Sequence, residues 1–216
     1  MKLARNRRLI IGLRCVEEVL RHCPERIECV YLASDSAKHV ELRETAESAG
    51  VPVEQTDRKQ LAAAAHSDSH QDIAACVPAA QSIDLKELIT KLSANEHALV
   101  VMLDSVHDPQ NIGSILRAAE CTGAAAVIWS KNRGPQLTAA LSKASAGACE
   151  LVPWLRVSNL ANALRQFKQA GFWAVAADLN SESVPLYEFE FSGRTVIVFG
   201  SEGAGVSRLL AEQVDQ

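Results

Sequence analysis

The sequence predicts an α/β protein whose second half forms a parallel sheet with helices on both faces. Strand and helix patterns alternate along the 216 residues, and such alternation is typical of parallel strands joined by crossover helices. The segment Ala98–Leu103 is continuously apolar, as expected of a strand covered on both faces. Apolar residues make up 48% and charged residues 22% of the chain. These ordinary globular values exclude disorder, collagen and coiled coil.

The alternation of helix and strand patterns in residues 1–77 predicts a small α/β domain. Its elements are a helix from Cys15 to His22, a strand from Ile27 to Ala33, a helix from Val40 to Ala49, a short strand from Val51 to Val53, a helix from Arg58 to Ala65 and a strand from Ile73 to Val77. Pro24 and Gly50 end the first two helices. Residues 78–96 then predict a linker with one amphipathic helix, Leu85–Leu92, for which Asp84 is the N-cap.

Residues 97–216 predict the second domain. Its strands are expected at Ala98–Leu103, Ala124–Trp129, Leu151–Trp154, Phe172–Ala177 and Thr195–Phe199. Its helices are expected at Asn111–Glu120, at Leu137–Ala144, from Ser158 or Asn159 to Ala170, and at Ser207–Gln213. Ligands of open α/β sheets bind beyond the carboxyl ends of the strands, so the loops that follow these strands are the places to look for chemistry.

Charge and composition restrict the classes of partner. A net charge of −4 excludes a uniformly basic nucleic-acid coat, and 5% aromatic residues exclude base stacking as the main mode of binding. A basic patch that includes Arg14 opens the chain, but only Leu9–Ile11 precede Gly12, which is too short for a signal peptide. No apolar run has the ~18–20 residues of a membrane span. We therefore expect a mature cytoplasmic protein without a membrane partner.

The six cysteines show no Cys-x-x-Cys spacing and no zinc-finger pairing with histidine. Cys121 and Cys149 lie among alanines, where a reduced cysteine behaves as a small apolar residue. The pattern predicts buried, reduced thiols and no metal site.

The first chemically informative segment is Leu103–Arg117, in which a buried strand, a polar turn and a helix follow one another. Asn111 and Arg117 fall off the apolar face of this helix and near its N-terminus, where the backbone favours anions. Gly113 allows another backbone or a ligand to approach closely. The alternative from the residues alone is a capped helix with a surface arginine.

The second segment, Thr195–Arg208, runs from a strand through Gly200, Gly203 and Gly205 into a helix. Its glycine spacing matches neither G-x-G-x-x-G nor the P-loop. Glu202 lies inside the loop and would repel a pyrophosphate. The loop therefore suits a neutral or cationic ligand, or Glu202 binds a cation of the protein. A glycine-rich turn with a capping glutamate is the alternative.

A third segment supplies cations near the predicted sheet edge. Lys131 and Arg133 lie in the loop after a strand, and Lys143 lies on the following helix. Together they suit phosphate groups, and a solvated loop is the alternative.

Taken together, these segments resemble the SpoU (TrmH-like) branch of the SPOUT RNA methyltransferases. LDSVHDPQNIGSILRAAECTG resembles the first motif of this family, VFGSEGAGVSRLL resembles the second, and KASAGACELVP between them is also similar. GLRCVEEVL and ERIECVYLA resemble its small substrate-binding domain. The resemblance covers nearly the whole chain. It implies a SPOUT parallel-sheet catalytic domain of the trefoil-knot type, here 97–216, behind a linker and a small α/β RNA-binding domain, here 1–77.

The resemblance also implies an activity, which is S-adenosylmethionine-dependent 2′-O-methylation of a guanosine ribose in large-subunit rRNA. Arg117 would hold the target phosphate, while Asn111 and Glu202 orient its guanidinium. The glycines of the loop, Gly200, Gly203 and Gly205, would line the cofactor. We assign RNA binding to Arg14, Lys131, Arg133 and Lys143. A homodimer is expected, and no metal is required.

The chain departs from the family pattern at two places. It reads His70-Gln71-Asp72 where the family usually reads His-Gln-Gly. The family's third motif, an Ile-Pro-Met strand followed by Ser-Leu-Asn, is absent up to Gln216. We therefore expect the knot to lack the segment that threads it and the cofactor pocket to lack one wall. The alternatives are a tRNA ribose methyltransferase, a catalytically impaired RNA-binding protein and a Rossmann oxidoreductase, which would need a dinucleotide fingerprint that the chain lacks.

Overall fold

The structure is a computed structural model that describes residues 4, 6–79, 83–132, 134–179, 183–191 and 193–216. The strands are β1 (Arg7–Ile11), β2 (Cys29–Leu32), β3 (Val53–Gln55), β4 (Ile73–Pro78), β5 (Ala98–Leu103), β6 (Ala126–Ser130), β7 (Trp154–Val157), β8 (Trp173–Ala177) and β9 (Arg194–Phe199). The α-helices are α1 (Leu13–His22), α2 (Ala37–Ser48), α3 (Arg58–Ala65), α4 (Leu85–Ser93), α5 (Pro109–Cys121), α6 (Ala139–Ala144), α7 (Ala148–Leu151), α8 (Leu160–Gln169) and α9 (Arg208–Ala211).

The chain divides into two compact units. Unit 1 combines Met1–Gln81 with Ile112–Arg117 and Gln136–Leu151. Unit 2 combines Ser82–Asn111, Ala118–Pro135 and Val152–Gln216. Helix α5 therefore contributes residues to both units, and α6 and α7 belong to unit 1. The domain boundaries drawn from the sequence stay a prediction.

Unit 1 is built on a four-stranded sheet in the order β1-β4-β2-β3. Strand β4 is antiparallel to β1 and β2, and β2 is parallel to β3. Successive side chains of a strand point to opposite faces, and both faces of this sheet are buried. Ile10 packs in one apolar cluster with residues of α1 and α2, while Leu9 and Ile11 pack in another with Leu61 of α3.

The sequence pattern does not predict β1. Arg7 and Arg8 are charged, and the apolar run that follows has three residues. The strand forms because it pairs with β4 from Arg7 opposite Pro78 to Ile11 opposite Ala74. This pairing joins residues that are far apart in the sequence, so no local pattern reveals it.

Unit 2 is built on a five-stranded sheet in the order β7-β6-β5-β9-β8, and every neighbouring pair is parallel. The predicted parallel sheet is thus confirmed, as are strand β5 and the cap of α4, where Asp84 accepts a hydrogen bond from the Lys86 amide at 2.8 Å. Helices α4, α8 and α9 cover one face. Their buried residues there include Leu88, Ile89, Leu92, Leu160, Leu164, Phe167 and Leu210.

The strand predicted at Leu151–Trp154 is wrong in its position. Leu151 ends helix α7, and the strand begins only at Trp154. Gly147, with a φ of 92°, starts the turn of α7, and the Glu150 amide donates to the Gly147 carbonyl at 2.8 Å. The strand is displaced because its register is set by pairing with β6, with Trp154 opposite Val127.

The prediction of buried thiols holds for Cys149 but is wrong for Cys121. Cys149 is buried in α7, whereas Cys121 is exposed at the last residue of α5. Alanine-rich surroundings in the sequence do not distinguish the inner from the outer face of a helix. Across the described residues, no helix is long and apolar enough to cross a membrane.

The buried Cys149 predicts a loss of stability at alkaline pH. Burial raises the pKa of this thiol from its ordinary 9.0 to about 12. Between these values the unfolded chain releases a proton that the folded chain keeps. The free energy of unfolding therefore falls as the pH rises, by at most about 1.4 kcal/mol per pH unit for this one group. We expect Cys149→Ala to flatten this fall between about pH 9 and 10.5 in urea unfolding curves.

The exposed thiol provides the matched control, because Cys121→Ala should leave the pH dependence unchanged. If the free energy of unfolding fell equally with pH in Cys149→Ala and in the unsubstituted protein, the raised pKa assigned to the Cys149 thiol would be contradicted.

Candidate active site

The two informative segments leave the sheet side by side. Strands β5 and β9 are adjacent and parallel, and their last residues, Leu103 and Phe199, lie opposite each other. The hydrogen bonding between the two chain segments extends one residue further, because the Asp104 amide donates to the Phe199 carbonyl at 2.8 Å. The loops that follow β5 and β9 therefore start from the same edge of the sheet, which is where ligands of such sheets bind.

Asp104 fixes the far end of the glycine loop. Its side chain is buried, with 4% of the residue exposed. One carboxylate oxygen accepts from the Ser207 amide at 2.8 Å, and the other accepts from the Ser105 hydroxyl at 3.2 Å. Ser207 is the N-cap residue of α9. Asp104 is not among the residues predicted from the motifs, although an acid directly after a buried strand is a signal for such a role.

Two of the three predicted glycines close the loop on itself. Ser201 and Gly205 exchange two backbone hydrogen bonds of 3.0 Å. A Cβ on Gly200 would lie 1.9 Å from the Gly205 carbonyl carbon, so no side chain fits at Gly200. Gly203 differs from these two, because its φ is 87° and nothing lies within 4 Å of the place of a Cβ. Gly203 therefore leaves the tip of the loop open.

Glu202 lies exposed at this tip. Within the described ranges, its carboxylate has neither an ion pair nor a hydrogen bond, and the amides of Glu202, Gly203 and Ala204 donate none. The tip thus offers a negative charge next to amides that are available to a ligand. This arrangement agrees with the expectation that the loop suits a neutral or cationic group.

Helix α5 presents Asn111 as predicted. Asp108 caps the helix by accepting from the Gln110 amide at 2.9 Å, and Pro109 is its first residue. Ile112 and Leu116 are fully buried, whereas Asn111 and Arg117 are exposed. The apolar face read from the sequence is therefore confirmed, and the two polar candidates lie off it. The expected place near the helix N-terminus holds for Asn111 but is wrong for Arg117, because α5 already begins at Pro109 and ends four residues after Arg117.

Arg117 is held by the end of helix α6. Its guanidinium donates to the Ala144 carbonyl and, at 3.0 Å, to the Ser114 hydroxyl. The close approach predicted at Gly113 is confirmed here, since a Cβ on Gly113 would lie 2.6 Å from the carbonyl carbon of Ala144. Two backbones thus meet beside Arg117. The expected orientation of Arg117 by Asn111 and Glu202 stays a prediction.

The predicted RNA-binding cations have different surroundings. Arg14 is largely exposed and pairs with Glu17 at 3.1 Å. Lys143 is half-buried, and its ammonium donates to the Ser69 carbonyl at 2.6 Å. Lys131 is exposed after β6, while Arg133 lies outside the described residues.

Arg156 is a neighbouring cation that the sequence did not single out. It lies in β7 and donates to the Lys131 carbonyl at 2.8 Å. The composition of β7 does not single out Arg156 as a functional residue. Arg156 lies beside Lys131 because β7 pairs with β6.

Comparison with known families decides the relationship. The profile described as the SpoU rRNA Methylase family matches residues 98–216, which is more than half of the chain. The chain belongs to the SpoU rRNA methylase family. Residues 9–83 match a second profile, described as RNA 2′-O ribose methyltransferase substrate binding.

Named members of the SpoU family resemble the chain over nearly its whole length. The 23S rRNA (guanosine-2′-O-)-methyltransferase RlmB of Photobacterium profundum is 36% identical over 209 residues, which is 96% of this chain and 85% of the relative. The protein of the same name from Escherichia coli is 32% identical over 210 residues, covering 96% of this chain and 86% of the relative.

Solved structures of SpoU and TrmH methyltransferases share the fold. A putative RNA methyltransferase of the TrmH family from Porphyromonas gingivalis matches with a TM-score of 0.73 at 21% identity, over 98% of this chain and 78% of that one. The SpoU methyltransferase AviRb from Streptomyces viridochromogenes, solved with the cofactor AdoMet, matches with a TM-score of 0.72 at 22% identity, over 97% of this chain and 79% of that one.

The contact at Gly113 predicts an unusual response to substitution. Alanine in place of glycine inside a helix normally stabilises by about 1 kcal/mol. At Gly113 the added methyl group meets backbone, so we expect Gly113→Ala to lower the free energy of unfolding by about 1–3 kcal/mol in urea titrations.

Gln110→Ala, an exposed change on the same helix, is the control and should alter the stability by less than about 0.5 kcal/mol. Ala144→Gly should not rescue Gly113→Ala, because the nearest atom is a backbone carbon. A stabilised Gly113→Ala protein would show that the two backbones do not meet.

Proposed function

We propose that this protein transfers a methyl group from S-adenosylmethionine to the ribose 2′-hydroxyl of a guanosine in 23S rRNA. The observation that carries the proposal is the likeness to RlmB proteins, at 32–36% identity over 95–96% of the chain. The matches to both family profiles support it, because a methylase segment and a substrate-binding segment occur together in one chain.

The residues at the loop tip fit the proposed cofactor. Available amides at residues 202–204 and the open space at Gly203 leave room for a bound molecule. A sulfonium cation tolerates the nearby Glu202 carboxylate, whereas a pyrophosphate would be repelled. S-adenosylmethionine supplies an electrophilic methyl group when it is bound. Gly200, Gly203 and Gly205 are the residues we propose to line it.

Arg117 is the residue we propose to hold the RNA. A guanidinium is a planar cation with several N–H donors, so it binds the oxygens of a phosphate in a defined geometry. The N–H groups that are not used by Ala144 and Ser114 remain for this contact. Holding the ribose hydroxyl in line and stabilising the charge that develops on its oxygen are tasks that a fixed cation performs well.

Asn111 and Glu202 are the groups we propose to orient Arg117. A carboxylate accepts two N–H groups of a guanidinium in a planar fork, which restricts the rotation of the side chain. An amide offers one more acceptor at the helix N-terminus. Arg117, oriented by these two groups, would then hold a phosphate oxygen in a single geometry, which is where positioning contributes to the rate.

The proposal extends to assembly and location. A homodimer is expected from the family resemblance, and light scattering of the purified chain tests it. We also propose action in the cytoplasm, which a substrate in ribosomal RNA supports.

Two other activities are distinguished by their own measurements. Transfer to tRNA, and not to 23S rRNA, would favour a tRNA ribose methyltransferase. Folded protein that binds RNA but releases no heat with S-adenosylmethionine in calorimetry would favour a non-catalytic RNA-binding protein.

We expect Arg117→Ala to lower methyl transfer by about 100- to 10,000-fold, because positioned groups contribute factors of this size. The measurement is incorporation of a labelled methyl group into a 23S rRNA transcript, with mass spectrometry of the nucleosides to identify 2′-O-methylguanosine. The fold should be spared, since Arg117 is exposed.

The matched control is Arg165→Ala, an exposed arginine on α8 that bonds only its neighbour Asn162 among the described residues. It should retain full activity. Full activity of Arg117→Ala would contradict the role of Arg117.

Lys131 provides a separate test of the RNA surface. We expect Lys131→Ala to weaken RNA binding and to reduce the slope of log affinity against log salt by about 1, which is the loss of one phosphate contact. Filter binding at several salt concentrations measures both quantities. Lys91→Ala, at an exposed lysine on α4 outside the substrate-binding match, should change neither. An unchanged slope for Lys131→Ala would remove Lys131 from the interface.

A further inference from the structure

A buried ion cluster in unit 1 has no place in the mechanism above. The Glu150 side chain is fully buried, and its carboxylate accepts from the guanidinium of Arg8 and, at 3.0 Å, from that of Arg26. Arg26 also donates to the Glu150 carbonyl oxygen. The side chains of both arginines are only partly exposed, with exposed fractions of 16% for Arg8 and 35% for Arg26. The Cys149 thiol donates to the other carboxylate oxygen at 3.3 Å. A fully buried carboxylate depends on such partners, and above all on the two cations, to offset its desolvation.

The cluster ties the segment Gln136–Leu151 to the front elements of unit 1. Arg8 lies on β1, Arg26 ends the turn after α1, and Glu150 lies on α7. Further contacts join the same elements. Arg8 donates to the Ser142 hydroxyl at 3.5 Å, and a Cβ on Gly147 would lie 3.0 Å from the Cys15 carbonyl of α1. Helices α6 and α7 are therefore fixed from the side of the small sheet.

The same segment seats Arg117. The Ala144 carbonyl, which accepts from the guanidinium, belongs to the last residue of α6. Gly113, one helical turn before Arg117, lies directly against Ala144. The position of the Ala144 carbonyl is thus set on one side by Gly113 and on the other by the contacts that hold α6 and α7.

We propose that Glu150, clamped by Arg8 and Arg26, is a positioning residue for Arg117. The front elements of the chain thereby contribute to the rate of the reaction and not only to the binding of RNA. This inference rests on the proposed function, in which Arg117 holds the substrate phosphate. Removal of the Glu150 charge loosens α7 and the end of α6, and the Ala144 carbonyl then no longer fixes the guanidinium.

The test compares Glu150→Gln with a matched ion pair of the same unit. Glutamine keeps the size of the side chain and removes its charge. Arg7 and Glu28 form the control pair at 2.5 Å, between β1 and the residue before β2. We expect kcat of Glu150→Gln on a 23S rRNA transcript to fall at least tenfold, with the KM for RNA within twofold. Glu28→Gln should keep both constants within twofold.

A second variant guards against misfolding. Arg26→Gln leaves the Arg8–Glu150 pair in place, and we expect a smaller fall in kcat, of about threefold to tenfold, with a cooperative thermal transition. In an Arg117→Lys background, a single ammonium replaces the fork that bonds both Ala144 and Ser114. Glu150→Gln should there cost less than a further twofold, because the group that it positions is gone.

Nitrogen-15 NMR of arginine side chains gives a readout without turnover. The Arg117 signal, assigned by its loss in Arg117→Lys, should be resolved in the unsubstituted protein and should average in Glu150→Gln but not in Glu28→Gln. An unchanged Arg117 signal, an unchanged kcat or full additivity with Arg117→Lys would overturn the inference. If Arg117→Ala itself retained activity, the proposed role of Arg117 would fail instead, and if the unsubstituted protein transferred no methyl group, the proposed function would fail. In both cases the NMR result would still decide whether Glu150 fixes Arg117.

Discussion

The parallel pairing of β5 with β9 is the constraint on which the site depends. The two strands run side by side from Ala98 opposite Arg194 to Leu103 opposite Phe199. Since both point the same way, the segments that carry Asn111 and Glu202 leave from one edge of the sheet. An antiparallel pair would send them to opposite edges. The bond from the Ser207 amide to the buried Asp104 carboxylate then ties the second segment to the first.

Local signals account for what the sequence predicts correctly. Strand β5 is an uninterrupted apolar run, α3 begins and ends as predicted at Arg58 and Ala65, and Asp84 and Asp108 are caps whose side chains bond the first amides of their helices. A polar or glycine-rich turn after a buried strand is also a local pattern, and it singles out the candidate residues of both motifs, whose roles stay a prediction. Their family resemblance added the chemistry.

Long-range contacts account for what the sequence does not predict. Strand β1 exists because β4 lies beside it, and β7 starts at Trp154 because β6 sets its register. The cationic partners of Glu150 are Arg8 and Arg26, both far away along the chain. In the sequence Glu150 is an acid between Cys149 and Leu151, and nothing there indicates that it is buried. Asp104 lies in the first motif, but its role depends on the hydrogen bond from the Ser207 amide, which the sequence does not indicate.

The closure of the glycine loop affects the thermodynamics of whatever binds there. Ser201 and Gly205 hold each other through two hydrogen bonds, and the backbone around Gly200 is packed too tightly for any side chain. The arc between them is consequently ordered before a molecule arrives. Binding to a loop that is already ordered costs less conformational entropy of the protein than binding to a flexible loop that must first be ordered. Affinity at this place should therefore reflect the fit of the ligand more than the cost of arranging the chain.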